Sequence, residues 1–301
     1  VAFLLYKNTY LCKKNIMSQI NVDQIYPYSG NAVEVGNVAI KSTNNSVTLG
    51  MFNNLTTIGT FNTAVGVNAL KTSTGTANTA VGYDALRTVT TAQQNTAVGT
   101  SALRDATNSW NTAVGNSAGY QISSGNSNLL LGAGAGNSVT TGSANTIVGT
   151  FASGITSGNF NTVIGYSAQA SSLTVSDEIT LGGYSTAALR CNVTSITSLS
   201  DARDKKDVTD LRAGLDFIKS LRPVEFVWDD RNENGRHNVI DSGFLAQDLK
   251  SAQEDVEMAD VLKLVYESNP EKLEASYGRL IPVLVQAIKD LAAKVETLEN
   301  K

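Results

Sequence analysis

Between residues 62 and 165 the apolar and polar positions recur in a fixed frame. NTAVG begins at Asn62, Asn78, Asn95 and Asn111, and NLLLG, NTIVG and NTVIG follow from Asn128, Asn145 and Asn161. The closing glycines, Gly66, Gly82, Gly99, Gly115, Gly132, Gly149 and Gly165, stand at spacings of 16, 17, 16, 17, 17 and 16. Three residues after each stands an alanine: Ala69, Ala85, Ala102, Ala118, Ala135, Ala152 and Ala168. Weaker copies close at Gly50 and Gly182. The period is too short for a helical pair. Thr, Val and Ile favour strands, and Asn, Gly and Ser favour turns. The pattern predicts a β-roll whose coils each hold one short strand and a return segment, stacked at about 4.8 Å.

Adjacent strand residues point to opposite faces. The third repeat position is apolar (Ala64, Ala80, Ala97, Ala113, Leu130, Ile147, Val163), and so is the fourth (Val65, Val81, Val98, Val114, Leu131, Val148, Ile164). One face fills the roll; the other predicts burial against a neighbouring chain. The repeated asparagine predicts a ladder of side-chain hydrogen bonds at one corner.

A second periodicity closes the chain. Tyr277, Ile281, Leu284, Ile288, Leu291, Val295 and Leu298 run at spacings of 4, 3, 4, 3, 4 and 3. That is a heptad seam, and it predicts a coiled coil over 277–298. Pro282 predicts a bend in the first turn. Between the two patterns the charge density changes: residues 47–183 carry few charges and residues 201–301 many. For 301 residues two domains are expected. The fold class is therefore a mainly β repeat shaft, a β-roll or solenoid, followed by an α+β domain ending in a coiled-coil helix; the periodicity leaves the number of chains open. Residues 1–16 read as a non-native or disordered extension, since Met17 opens an ordinary protein start. Residues 17–44 read as a β-rich lead-in, 45–190 as the shaft, 191–199 as a linker and 200–301 as the second domain. Glu233–Arg236 reads as a turn.

Composition narrows the chemistry. A net charge of −4 and a pI near 5.1 offer no phosphate-binding surface, so nucleic acid is not an expected partner. Without a run of about 18 apolar residues, no membrane insertion is expected. One histidine, His237, and two distant cysteines, Cys12 and Cys191, supply neither metal spacing nor a disulfide framework. No metal and no cofactor are expected, and His237 reads as a surface-loop residue. Gly115-Asn116-Ser117-Ala118-Gly119 imitates a nucleophile elbow but falls on the repeat grid without the strand–elbow–helix context. Gly132-Ala133-Gly134-Ala135-Gly136 lacks the Lys-Ser/Thr of a phosphate loop and reads as a tight turn. The shaft also lacks the paired carboxylates of a glycan-cleaving enzyme.

Over residues 45–185 the motif resembles the head repeats of trimeric autotransporter adhesins and the NTAVG-type repeats of phage tail fibres. Three later segments, SLSDARDKKDVTDLRAGLDFIKSLRPVEFVW, DSGFLAQDL at 241–249 and EASYGRLIPVLVQAIKDLAAKVETLE at 274–299, together resemble the intramolecular chaperone, or peptidase S74, family. The family pattern S-D-x-R-x-K is met by Ser200, Asp201, Arg203 and Lys205. The resemblance implies Ser200 as nucleophile, Lys205 as its general base and Leu199–Ser200 as the scissile bond. Gly243, Phe244 and Gln247 match the family's GF-I-AQ segment, with Leu245 for Ile, and are implied to support the site. A histidine that some members carry before that segment is replaced here by Asp241 and Ser242.

The implied chemistry is coherent by itself. A serine hydroxyl needs a base, and with one histidine in the chain lysine is the natural choice. A lysine serves as base once burial or nearby positive charge disfavours its ammonium. Arg203 and Lys206 are placed to supply charge, and closure of a trimer to supply burial. The competing reading is a solvated loop, with Asp207–Asp210 capping a helix over LRAGLDFIKSL.

The implied protein is a homotrimeric viral fibre or appendage, folded in the host cytoplasm and carried on the virion. Its partners would be itself, a host receptor or glycan, and other virion proteins. Its second domain would drive assembly and then release itself in one turnover. The alternative is a structural surface adhesin that keeps the module uncleaved.

Overall fold

A computed structural model describes residues 32–35, 38–43, 46–50, 59–183, 186, 188–190, 192, 198–231 and 236–301. The extension at 1–16, most of the lead-in, both cysteines and Glu233–Gly235 lie outside the described residues.

The repeat region is a β-solenoid. Strands β1 (Ala32–Val35), β2 (Val38–Thr43) and β3 (Ser46–Gly50) pair antiparallel in order. From β3 onward the sheet is parallel. Each coil adds one three-residue strand: β4 (Thr63–Val65), β5 (Thr79–Val81), β6 (Thr96–Val98), β7 (Thr112–Val114), β8 (Leu129–Leu131), β9 (Thr146–Val148), β10 (Thr162–Ile164) and β11 (Ile179–Leu181). Like residues stack in register, Ala64 on Ala80, Ala97 and Ala113, then Leu130, Ile147 and Val163. The weaker copies at Gly50 and Gly182 thus continue the same sheet.

The two apolar strand positions separate as the pleat requires. The third is fully buried in every coil, together with the alanine after each glycine. The fourth faces outward and is half-buried to exposed in a single chain. Core volume is shared between adjacent coils. Beside Ala64, Ala80 and Ala97, Leu70, Leu86 and Leu103 fill the interior, while the coil of Ala113 has Gly119 there, against Leu130 of the next coil. Where the strand residue becomes Leu130 or Ile147, that filler shrinks. A Cβ on Gly119 would stand 2.6 Å from Leu130 Cδ1, and one on Gly136 2.6 Å from Leu130 Cδ2. Swaps that keep total volume keep the packing.

The asparagines form the expected ladder. Each buried Oδ1 accepts the backbone N–H of the next asparagine at 2.7–3.0 Å, from Asn62 to Asn161, and Glu178 N–H closes the series. The Nδ2 groups donate to the return segment, for example Asn128 to Gly142 O at 2.9 Å. The buried asparagine side chains are thereby satisfied. The closing glycines are dictated by geometry: Gly115 has φ +140°, and a Cβ there would lie 2.4 Å from Gly132 O.

The second region is α+β. Helix α1 (Leu215–Ser220) leads to a hairpin of β12 (Val224–Asp229) and β13 (His237–Gly243). Then come α2 (Ala246–Asp255), α3 (Ala259–Leu262), the short pair β14 (Val265–Tyr266) and β15 (Glu274–Ala275), a 3-10 turn at Tyr277–Arg279, and α4 (Leu280–Glu299). Its core joins Ala213, Phe217, Leu249, Met258, Leu262, Leu264, Leu280 and Val283. The start of α1 differs from the aspartate-capped helix weighed above. The helix begins at Leu215, and its N–H is taken by Asp290 of α4 at 2.9 Å, so the cap comes from across the fold. That bond holds the Asp290 carboxyl below the ordinary carboxylate range, helped by Gln286. Pro282 sits in the first turn of α4, where its missing N–H has no helical partner to lose, and the helix runs on over 20 residues.

Candidate functional site

The segment around Ser200 is shaped by its own side chains. Residues 202–204 form one 3-10 turn. Asp201 caps it by accepting the N–H of Arg203 at 2.9 Å. The Arg203 guanidinium folds back on the same carboxylate, with Nη2 2.6 Å from Oδ2. These bonds hold the Asp201 carboxyl below the ordinary range. The turn then brings Lys205 back across itself. Lys205 Nζ lies 2.6 Å from Ser200 Oγ and 3.3 Å from Ser200 O. An aspartate that caps, an arginine that clamps and a lysine that returns account for the S-D-x-R-x-K spacing in physical terms.

The two cations expected to crowd Lys205 are engaged elsewhere. Arg203 is paired with Asp201, and Lys206 Nζ lies 3.8 Å from Asp207. Residues 198–210 are all exposed, and Leu199 wholly so. Within one chain the hydroxyl and amine therefore meet in open solvent.

The GFLAQ segment lies at the end of β13 and the start of α2. Tyr277 Oη accepts the N–H of Phe244 at 3.1 Å and donates to its carbonyl at 3.2 Å. The two rings meet edge to face, with centroids 5.7 Å apart. A Cβ on Gly243 would lie 2.6 Å from Tyr277 Oη, so this position admits only glycine without displacing the ring. Gln247 is exposed in the first turn of α2. Pro223, Val224, Glu225, Ser242, Gly243, Phe244 and Tyr277 line a cavity of about 430 Å³. Sequence reasoning missed this cavity and the Tyr277 clamp, since it assigned Tyr277 to the heptad seam alone. His237 lies at the start of β13 rather than in a loop, with Nδ1 3.0 Å from Asp229 Oδ1.

Helix α4 carries two apolar faces. Leu280, Val283 and Ala287 are buried against the domain core. Tyr277, Ile281, Leu284, Ile288, Leu291, Val295 and Leu298 are 43–68 % exposed. The seam read from the sequence is thus a continuous apolar face that one chain leaves uncovered. Among the described residues no helix is long and apolar enough to cross a membrane.

No curated protein and no solved structure matches the chain. A family model does: the chaperone of endosialidase, peptidase S74, matches residues 200–257, a span that begins at Ser200 and ends after α2. A β-solenoid shaft followed by a chaperone-of-endosialidase domain is the make-up of a phage tail fibre with a C-terminal chaperone domain, and this chain fits it.

Proposed function

We propose that the chain is a homotrimeric phage fibre or appendage protein whose domain at 200–301 assembles the trimer and then releases itself by cleavage between Leu199 and Ser200. The observation that carries this reading is the 2.6 Å contact of Lys205 Nζ with Ser200 Oγ, at the first residue of the family match. Ser200 Oγ attacks the carbonyl carbon of Leu199, and Lys205, as the neutral amine, takes the hydroxyl proton. The C–N bond breaks, and the proton passes to the departing amine of Ser200. An ester links Leu199 to Ser200 Oγ until water hydrolyses it. The substrate is the chain itself, so each copy reacts once.

Assembly is supported by the two uncovered apolar surfaces, the outward stripe of the solenoid and the seam of α4. Coils this alike can pair out of register. A unique helical seam supplies the seed that fixes three shafts together before they zip. Cleavage then removes the seed and leaves a fibre held by a kinetic barrier. On a virion such a fibre would meet a host receptor or glycan through its shaft or lead-in.

Intact-mass measurement of the expressed chain tests the reading. Ser200→Ala is expected to stay full length and trimeric. Lys205→Ala is expected to stay uncut, while Lys206→Ala is cut at Leu199. A truncated product from Ser200→Ala would overturn the assignment. A wild-type trimer that remains full length would favour the uncleaved adhesin.

A further inference from the structure

Resting on the self-cleavage reading, we infer that the cavity between β12, β13 and Tyr277 is the binding pocket for the Leu199 side chain of a neighbouring copy, so that the cleavage site is completed only between chains. Two gaps in the single chain match. Leu199, at the scissile bond, is fully exposed, and the serine and lysine beside it stand in solvent. The cavity, at about 430 Å³, has apolar walls from Pro223, Val224, Phe244 and Tyr277 and nothing of its own chain inside it.

The pocket is pre-formed. The double hydrogen bond of Tyr277 Oη to Phe244 fixes one wall, and Gly243 has no side chain to block it. Apolar walls with a few polar groups are the usual lining of a binding site. Its polar rim is Glu225 and Ser242.

The location selects the occupant. Tyr277 is both a wall of the pocket and the first residue of the uncovered seam, 46 % exposed. A second copy docked on that seam passes the mouth of the pocket. Within one chain Leu199 and the pocket do not meet. Seating Leu199 would fix the scissile carbonyl against Ser200, and orienting a reacting bond accelerates attack. It would also bring the amine out of bulk water, which disfavours the ammonium form. Cutting is thereby tied to correct assembly: a lone chain has no pocket for its own leucine and stays whole.

The test uses the full chain and follows the 199-residue product over time, with light scattering to confirm the trimer. Changes at Leu199 leave the fold untouched because the residue makes no contacts. Leu199→Met is expected to cut at close to the normal rate. Leu199→Glu places a carboxylate in the pocket and is expected to cut roughly 10- to 100-fold more slowly, as loss of a buried leucine implies. Val224→Phe, which narrows the pocket, is expected to slow the wild-type sequence and to regain speed when combined with Leu199→Ala. In mixed trimers, chains carrying Val224→Phe should be cut when co-assembled with Ser200→Ala chains whose pocket is native. Equal rates for Leu199→Glu and wild type in a proper trimer would overturn the pocket while leaving self-cleavage standing. Cutting of Val224→Phe chains unaffected by partners would overturn the inter-chain assignment. An uncut wild type would remove both readings together.

Discussion

The shaft and the second domain solve burial in opposite ways. The shaft closes on itself. Twenty-five buried apolar residues line one continuous core, and its buried asparagines are bonded coil to coil. A stripe of aliphatic side chains is left over, and aromatics such as Phe61, Trp110 and Phe160 stand exposed at the corner. The second domain gathers a core of eight buried residues, and its longest helix leaves an apolar face in water. In the proposed trimer, the difference places the assembly information in the second domain. Each inner shaft coil stacks on its two neighbours, so its stability adds along one dimension and its surface repeats. A repeating surface holds chains together but does not say in which register. The second domain occurs once per chain, and its face is unique.

The sharpest way to break this comparison is to separate the parts. A chain of residues 17–199 alone is expected to give monomer or aggregate by light scattering, whereas cutting after assembly leaves a trimer. A well-formed trimer from residues 17–199 would remove the chaperone role even with cleavage at Ser200 intact. A single charge in the seam should act almost as strongly. Ile288→Asp lies on the exposed face of α4, so the single-chain fold, read by circular dichroism, is expected to persist while the trimer mass is lost.

Within the shaft the expected effect is smaller and local. Asn128→Ala strips the partner from Asn145 N–H and from Gly142 O. Two buried groups left unpaired cost about 2–6 kcal/mol, read as a lower melting temperature of uncleaved Ser200→Ala trimer. The smallest effect belongs to Asp290→Asn. The Asp290 carboxyl is depressed in the folded state. Its contribution is therefore present above the unfolded carboxylate range and lost as pH falls through the folded value. The gap in melting temperature between wild type and Asp290→Asn should be widest near neutral pH and close on acidification.

Most of the shaft was legible because its signal repeats. NTAVG names the strand, the inward and outward positions and the ladder. What the repeat concealed was its corner. The residue before each asparagine adopts a left-handed conformation, and three of these are Phe61, Trp110 and Phe160, with φ of 60°, 63° and 57°. Bulky side chains disfavour that region, so no propensity argument points to it. The backbone is held by inter-coil bonds such as Trp110 N–H to Gln93 O at 3.1 Å. The second domain was legible where it is periodic, along α4, and not where it is compact. Phe217, Leu249, Met258 and Leu264 follow no single period, and Asp290 caps a helix 75 residues away. Around Ser200 the residues stood out through family resemblance, while the capping and clamping roles of Asp201 and Arg203 needed coordinates.

That left-handed corner has its own consequence. Residues 61, 77, 94, 110, 127, 144 and 160 share one backbone shape, with φ between 56° and 63°, yet carry Phe, Ala, Gln, Trp, Ser, Ala and Phe. The conformation is imposed by neighbouring coils, not by the side chain. The edge of the fibre is therefore a row of interchangeable sockets, where what is displayed to the outside can be rewritten one coil at a time while the rod beneath stays the same.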